Sequence, residues 1–235
     1  MSNDSFINVC LATDRNYLQY AGVVIASILK HAAPDDKLKF YILEDGLIDE
    51  DRKVLRGLAG NNICEFEFVT PDWAALPEGR LIKYISRASL LRLQLPELLP
   101  EVDKIIYLDC DVIVTDSLAE LWNIDMTGAL VAGSADYCGG LDKHKESIGC
   151  DHVYLNSGSL MMNLKLGREV GISQKFLKVG EELGDKATLL DQDIINVAVG
   201  EKRLVVPLKW NLSTGYYKRR YKEQHYSNEE IVEAA

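Results

Sequence analysis

Residues 104–114 read KIIYLDCDVIV: one lysine, four apolar residues, then two aspartates, Asp109 and Asp111, on either side of Cys110. An unbroken β-prone run of this kind fits a central strand covered on both faces. A strand sends residues i and i+2 to the same side, so Asp109 and Asp111 are expected to aim at one point. Isolated buried carboxylates either pair or bind a cation. Two acids at the carboxyl end of a strand, facing a crevice, would make a hard-oxygen site suited to Mg²⁺ or Mn²⁺. Turn aspartates capping nearby backbone amides account for the same letters.

Working outward, strand signals at 7–12, 38–43 and 63–69 precede this one. After the first, the polar turn TDRN leads to a helix over 17–31, in which Leu18, Ala21, Val24, Ile25, Ile28 and Leu29 recur at helical spacing. A second helix opens at Asp49 and closes near Gly60, and another is expected over 86–95, before Pro96 and Pro100 break the pattern. Further on come a strand near 129–135, a loop rich in Gly and Asp (DYCGGLDKHKESIGCD, 136–151) and the apolar run SLMMNL. Helices near 170–183 and 191–199 and a strand at 204–206 follow. Strands alternating with helices imply an α/β fold, with a largely parallel sheet and right-handed crossovers, in one domain. Such sheets bind ligands beyond the carboxyl ends of their strands, which puts TDRN and DCD on the same rim.

Composition narrows the function. The chain has 235 residues and a net charge of −10, and its one basic cluster is YYKRRYK at 216–222, so no nucleic-acid partner is expected. Five scattered cysteines without CxxC spacing indicate neither a disulfide frame nor a zinc site, and Cys10 and Cys110 read as small hydrophobes. No secretory h-region or membrane-spanning run is present, so the expected setting is cytoplasmic, with at most peripheral contact at the inner face of a membrane.

Four stretches then fall into a pattern: LATDRNY (11–17), YLDCDVIV (107–114), YLNSGSLMMNL (154–164) and LLDQDIINVAV (189–199). In order and spacing they resemble the core blocks of glycosyltransferase family 8. The resemblance implies a GT-A fold, that is, a Rossmann-like, mixed but mainly parallel sheet flanked by helices. It implies a retaining, metal-dependent transferase moving a hexose from a UDP-sugar to a glycan or lipid-linked saccharide of lipopolysaccharide type. Carried onto this sequence, it assigns Asp109 and Asp111 to Mn²⁺ or Mg²⁺. It assigns Ala12, Asp14, Asn16, Tyr17, Ile85, Arg92, Asp109, Cys110, Asp111, Asn156, Ser157, Asp191 and Gln192 to the donor. Asp136 resembles an acceptor-contacting position, and Asp191 and Gln192 would lie beside the transferred sugar as the catalytic pair.

Each block also has a plainer reading. TDRN fits an Asx-turn before a helix, Asp191 fits a helix N-cap, NSG fits a simple turn, Asp136 fits surface capping, and Arg92, or its competitor Arg87, fits a surface salt bridge. Retention needs either a nucleophile opposite the leaving group or departure and attack on one face. The amide of Gln192 is a poor nucleophile, which favours same-face substitution. Family members end in a block H-x-x-G-x-x-K-P-W, whose histidine completes the metal's ligands and whose glycine and lysine grip the diphosphate. That block is absent here, and His225 precedes the helix that normally leads into it, a placement that argues against ligation. The expectation is therefore a trimmed chain that transfers poorly unless extended. Two competing functions are a phosphatase of haloacid-dehalogenase type, with Asp109 as nucleophile, and a nucleotide-sugar-binding remnant without turnover.

Overall fold

The computed structural model describes residues 6–71, 90–136, 141–213, 216 and 225–234. The first half contains β1 (Ile7–Asp14), α1 (Leu18–His31), β2 (Leu38–Asp45), α2 (Asp49–Gly57) and β3 (Cys64–Val69). A 3-10 turn at Arg92–Gln94 runs into α3 (Leu95–Leu98), followed by β4 (Lys104–Leu108) and α4 (Ala119–Trp122). The second half contains β5 (Val131–Ala135), α5 (Leu141–Ile148), β6 (Leu155–Asn163), α6 (Leu164–Val170) and α7 (Ile172–Leu183). After these come α8 (Asp191–Val199), β7 (Arg203–Val205) and α9 (Asn228–Ala234).

The strands form one sheet in the order β3-β2-β1-β4-β6-β5-β7. β3, β2, β1 and β4 run parallel to one another, β6 runs antiparallel to both β4 and β5, and β7 is parallel to β5. This is the mixed, mainly parallel sheet that the sequence implies. The apolar runs are continuous because both faces are covered. Along β1 and β4, Cys10, Ala12, Ile105 and Tyr107 join one core with Ile172, Phe176, Ile194 and Ile195. Val9, Leu11, Ile106 and Leu108 join the other, with Val24, Ile25, Ile28 and Leu29 of α1. Each such aliphatic side chain contributes about 1.5–3 kcal/mol when fully buried.

The structure departs from the sequence expectations at Pro96 and in the segment 136–151. Residues 72–89, including Ile85, Arg87 and the first four residues of the helix expected over 86–95, lie outside the described residues. Pro96 does not break the helix that follows but sits in the first turn of α3, where its missing N–H has no intrahelical partner to lose. The helix expected near 170–183 is α7, and α6, which the sequence reading did not single out, precedes it; the two meet at Gly171, whose φ of 64° suits a residue without a Cβ. The segment read as a Gly- and Asp-rich loop holds α5.

Candidate active site

β4 ends at Leu108, and Cys110 and Asp111 lie in a turn. The pleat therefore does not set the directions of the two acids, contrary to the sequence expectation; the turn places Asp111 in the open and leaves Asp109 partly covered. The Asp109 backbone N–H donates to Gly158 O at 2.8 Å, and its Oδ1 accepts from Arg92 Nη2 at 2.6 Å. A Cβ on Gly158 would stand 3.1 Å from both Asp109 Oδ2 and Asn156 Oδ1, so glycine permits this close approach of β6 to the acid. Cys110 donates through Sγ to Ala12 O at 3.2 Å, joining the end of β1 to the turn. Burial pushes the Cys110 thiol up to about 12, with Asp109 and Asp111 adding to the effect.

Arg92 is the centre of the arrangement, and its side chain is only 4% exposed. Beyond Asp109, its Nη1 donates to Ser157 O at 2.7 Å and its Nε lies 3.1 Å from Asp191 Oδ2. The last pair is an ion pair without a well-directed hydrogen bond, since both atoms are buried and otherwise unbonded. The guanidinium also stacks 4.3 Å from the centre of the Tyr107 ring. Burial opposes the Arg92 charge, but Tyr107, Asp191 and Asp109 together outweigh it and raise its pKa. Asp191 is pushed above the usual carboxylate range, first by burial, with Arg92 pulling it down and Asp109 pushing it up.

Gln192 follows on the first turn of α8. Its Oε1 accepts from Ser157 N and its Nε2 donates to Asp136 Oδ2, each at 2.8 Å. Asn156 Oδ1 accepts from Gly158 N and from Asn211 Nδ2. Leu190, just before Asp191, has φ 57°, a left-handed conformation unusual for a non-glycine residue and common at functional sites.

Hydrogen bonds and ion pairs thus bring together Arg92, Asp109, Asn156, Ser157, Asp191, Gln192 and Asp136. Ala12 is buried at the end of β1, while Asp14, Asn16 and Tyr17 lie on the same rim. There Asp14 Oδ1 accepts from the backbone N–H groups of Asn16 and Tyr17 at 2.8 and 2.9 Å, so TDRN does form an Asx-turn ahead of α1. Tyr17 is 56% exposed, its ring 5.5 Å from that of Tyr20.

The donor set suits a small hard cation. Asp109 and Asp111 offer only oxygens, and Mg²⁺ is commonly bound by one or two carboxylates plus substrate phosphates. Among the described residues no group of three or more His, Cys, Asp or Glu side chains could enclose an ion. Asp109 Oδ1 is engaged by Arg92, which leaves Oδ2 as its uncommitted ligand atom.

Sequence reasoning missed the support beneath α8. Asp193 is fully buried; its Oδ1 takes Tyr154 OH at 2.5 Å and His144 Nε2 at 2.7 Å, and its Oδ2 takes Leu189 N–H at 2.8 Å. A carboxylate only accepts, so the His144 proton is on Nε2. Burial, and then Asp193 itself, raise the Tyr154 pKa. Asn196 bonds both backbone groups of Leu155 at 2.8 Å, and Arg203 braces it. A usable signal was present: Asp193 and Asn196 are polar residues inside an otherwise apolar helical run. Tyr154→Phe is expected to destabilise the fold by about 1–3 kcal/mol, because it removes one of three donors from a buried carboxylate. The shift of the urea midpoint measures this.

The family model for glycosyl transferase family 8 matches residues 8–234. The chain belongs to this family. A Haemophilus influenzae protein named as a glycosyltransferase is 32% identical over 196 residues, covering 81% of this chain and 58% of that protein. The lipopolysaccharide 1,3-galactosyltransferase of Salmonella typhimurium is 26% identical over 212 residues, covering 87% and 63%. The family 8 chain thus spans roughly six-tenths of the length of these two relatives. Among solved structures, the galactosyltransferase LgtC in complex with donor and acceptor sugar analogs superposes with a TM-score of 0.78 at 30% identity, over 93% of this chain and 80% of LgtC. An LgtC active-site mutant carrying a glutamine-to-glutamate change gives 0.79 at 29%, over 94% and 80%. The sheet is that of the GT-A glycosyltransferases, as the resemblance implied. Membership in this family removes the phosphatase reading.

Proposed function

We propose that the chain is the GT-A domain of a retaining hexosyltransferase that takes galactose or glucose from a UDP-sugar and transfers it to a glycan or lipopolysaccharide-type acceptor. The observation that carries this reading is the convergence on Arg92 of three sequence blocks far apart in the chain: Asp109, Ser157 and Asp191. Similarity to LgtC and to the Salmonella galactosyltransferase supports the choice of hexose and acceptor class. The described residues include no helix long and apolar enough to cross a membrane. We place the enzyme in the cytoplasm, meeting a lipid-linked acceptor at the inner face of the membrane.

Asp109 and Asp111 would hold Mn²⁺ or Mg²⁺, which when bound neutralises charge on the donor diphosphate and on the departing UDP. Asp14, Asn16, Tyr17, Ala12 and Cys110 lie on the rim where the nucleoside would rest, and Ile85 belongs to the same donor set by family resemblance. Arg92 fixes Asp109 and Asp191 in place, offsetting part of the cost of burying the Asp191 charge. The Asp191 carboxylate then accepts from sugar hydroxyls, and Asn156 offers its amide to the same ring. Gln192 keeps a second lone pair on Oε1 beyond the one used by Ser157 N–H, and that oxygen can stabilise positive charge developing at the anomeric carbon. No group of suitable basicity is assigned to deprotonate the acceptor, so its proton goes to the leaving diphosphate as the new bond forms on the same face.

The test is a panel of UDP-sugars with Mn²⁺, following UDP binding by calorimetry and UDP release with and without candidate saccharide acceptors. UDP binding is expected to require Mn²⁺, and Asp111→Asn is expected to raise the Mn²⁺ needed for half-saturation about tenfold or more, a cost of about 1.4 kcal/mol. UDP binding that ignores both metal and Asp111 would remove the metal-dependent reading. Binding without release of UDP under any condition would point to a nucleotide-sugar-binding domain instead.

A further inference from the structure

Asp136 sits just past β5, its backbone N–H donating to Tyr154 O at 2.8 Å. Its Oδ2 accepts from Gln192 Nε2 at 2.8 Å, while Gln192 Oε1 accepts from Ser157 N at 2.8 Å. The two ends of a glutamine amide are not equivalent: the oxygen only accepts and the NH₂ only donates. Between a carboxylate, which only accepts, and a backbone N–H, which only donates, one orientation is satisfied. The flipped amide would set N–H against N–H and oxygen against carboxylate. The Gln192 backbone is fixed separately, its C=O accepting from Asn196 Nδ2 at 2.9 Å and its N–H donating to Leu189 O at 3.2 Å. What remains free to turn is the side chain, which Asp136 holds by its Nε2 and which the Tyr154 hydroxyl also meets.

We infer that Asp136 is a positioning residue for Gln192, fixing the direction of its amide oxygen before any acceptor arrives. This role is additional to the acceptor contact assigned to Asp136 above, and it rests on that transferase reading. It has a consequence that acceptor contact alone lacks: Asp136 matters when water is the only acceptor. An acceptor hydroxyl that bonds to Asp136 also touches the group that orients Gln192, which couples acceptor arrival to the catalytic amide.

The experiment measures acceptor-free hydrolysis of the UDP-hexose in wild type, Asp136→Ala and Asp136→Asn, each checked for an unchanged thermal midpoint. Asparagine keeps an oxygen that can accept from Gln192 Nε2; alanine does not. Asp136→Ala is expected to lower hydrolytic kcat about tenfold with donor KM little changed, and Asp136→Asn to retain most of it. Hydrolysis unchanged in the alanine variant, with only the acceptor KM raised, overturns the inference. A second readout does not need turnover: the side-chain ¹⁵NH₂ resonances of Gln192, assigned by their loss in Gln192→Glu. They should move in Asp136→Ala and stay near their wild-type positions in Asp136→Asn. Resonances unmoved by alanine overturn the inference as well. A wild type that neither binds nor hydrolyses any UDP-hexose sinks the transferase reading, while the amide spectra still decide whether Asp136 orients Gln192.

Discussion

Arg92→Met is expected to destabilise the protein by about 3–5 kcal/mol and to abolish transfer, because breaking a buried ion pair by removing one partner strands the other. Methionine roughly matches the length and volume of the arginine stem, so the loss is mainly electrostatic. It removes the 2.6 Å bond to Asp109, the 2.7 Å bond to Ser157 O and the 3.1 Å approach to Asp191. It also removes the stacking on Tyr107, worth about 0.5–2 kcal/mol. The two stranded carboxylates do not suffer equally. The Asp109 side chain is 31% exposed and can be rehydrated, whereas that of Asp191 is 10% exposed and cannot. In the Arg92→Met background, Asp191→Asn should therefore recover more stability than Asp109→Asn, and neither should recover transfer. A double-mutant cycle by urea unfolding measures this. A cost below about 1 kcal/mol for Arg92→Met would mean that the cluster is far wetter than the structure indicates.

The fold was legible where it depends on local periodicity. The helices α1 and α8 lie where the spacing of their apolar residues puts them, and the strands β1, β2 and β4 read as unbroken apolar runs because helices cover both sheet faces. What the letters do not encode is which strands become neighbours. β6 inserts between β4 and β5, pairing Leu108 with Ser159, and this long-range choice sets NSG against DCD. The same limit applies to the site. The residues were named from the blocks, but the link through Arg92 needs a contact 65 residues away in the chain. The network of Asp193 with Tyr154 and His144 spans 39 and 49 residues. The error about Asp109 and Asp111 has a local cause: strand geometry was extended past Leu108, where, after one last cross-strand bond from Asp109 N–H to Gly158 O, the chain enters a turn.

On the proposed mechanism Asp191→Asn is expected to reduce transfer about 100-fold or more, since it would remove a charge from beside the transferred sugar, and at the same time to make the protein more stable at neutral pH. Burial raises the folded-state pKa of Asp191 above its unfolded value, so the folded protein binds this proton more tightly than the unfolded chain does. Above the folded pKa the ionised carboxylate is a cost carried by the fold. As pH falls through that value the group protonates and the cost disappears, so wild type gains on the variant. Two effects oppose the gain from asparagine: Asp191 stands in the first turn of α8, where a negative charge is worth about 0.3–1 kcal/mol, and it faces Arg92. Arg92 is not stranded by the change, however, because it keeps Asp109 and Ser157 O, and an asparagine oxygen can still accept from it. The net gain should be on the order of 1 kcal/mol at pH 7–8, or about 2–4 °C in thermal midpoint, typical of a group retained for activity at the expense of stability. Thermal unfolding of both proteins from pH 8 to pH 4 should show the gap closing with acidity. A variant that is less stable than wild type by the same margin at every pH would mean that Asp191 is held as a well-compensated ion pair and that its burial carries no penalty.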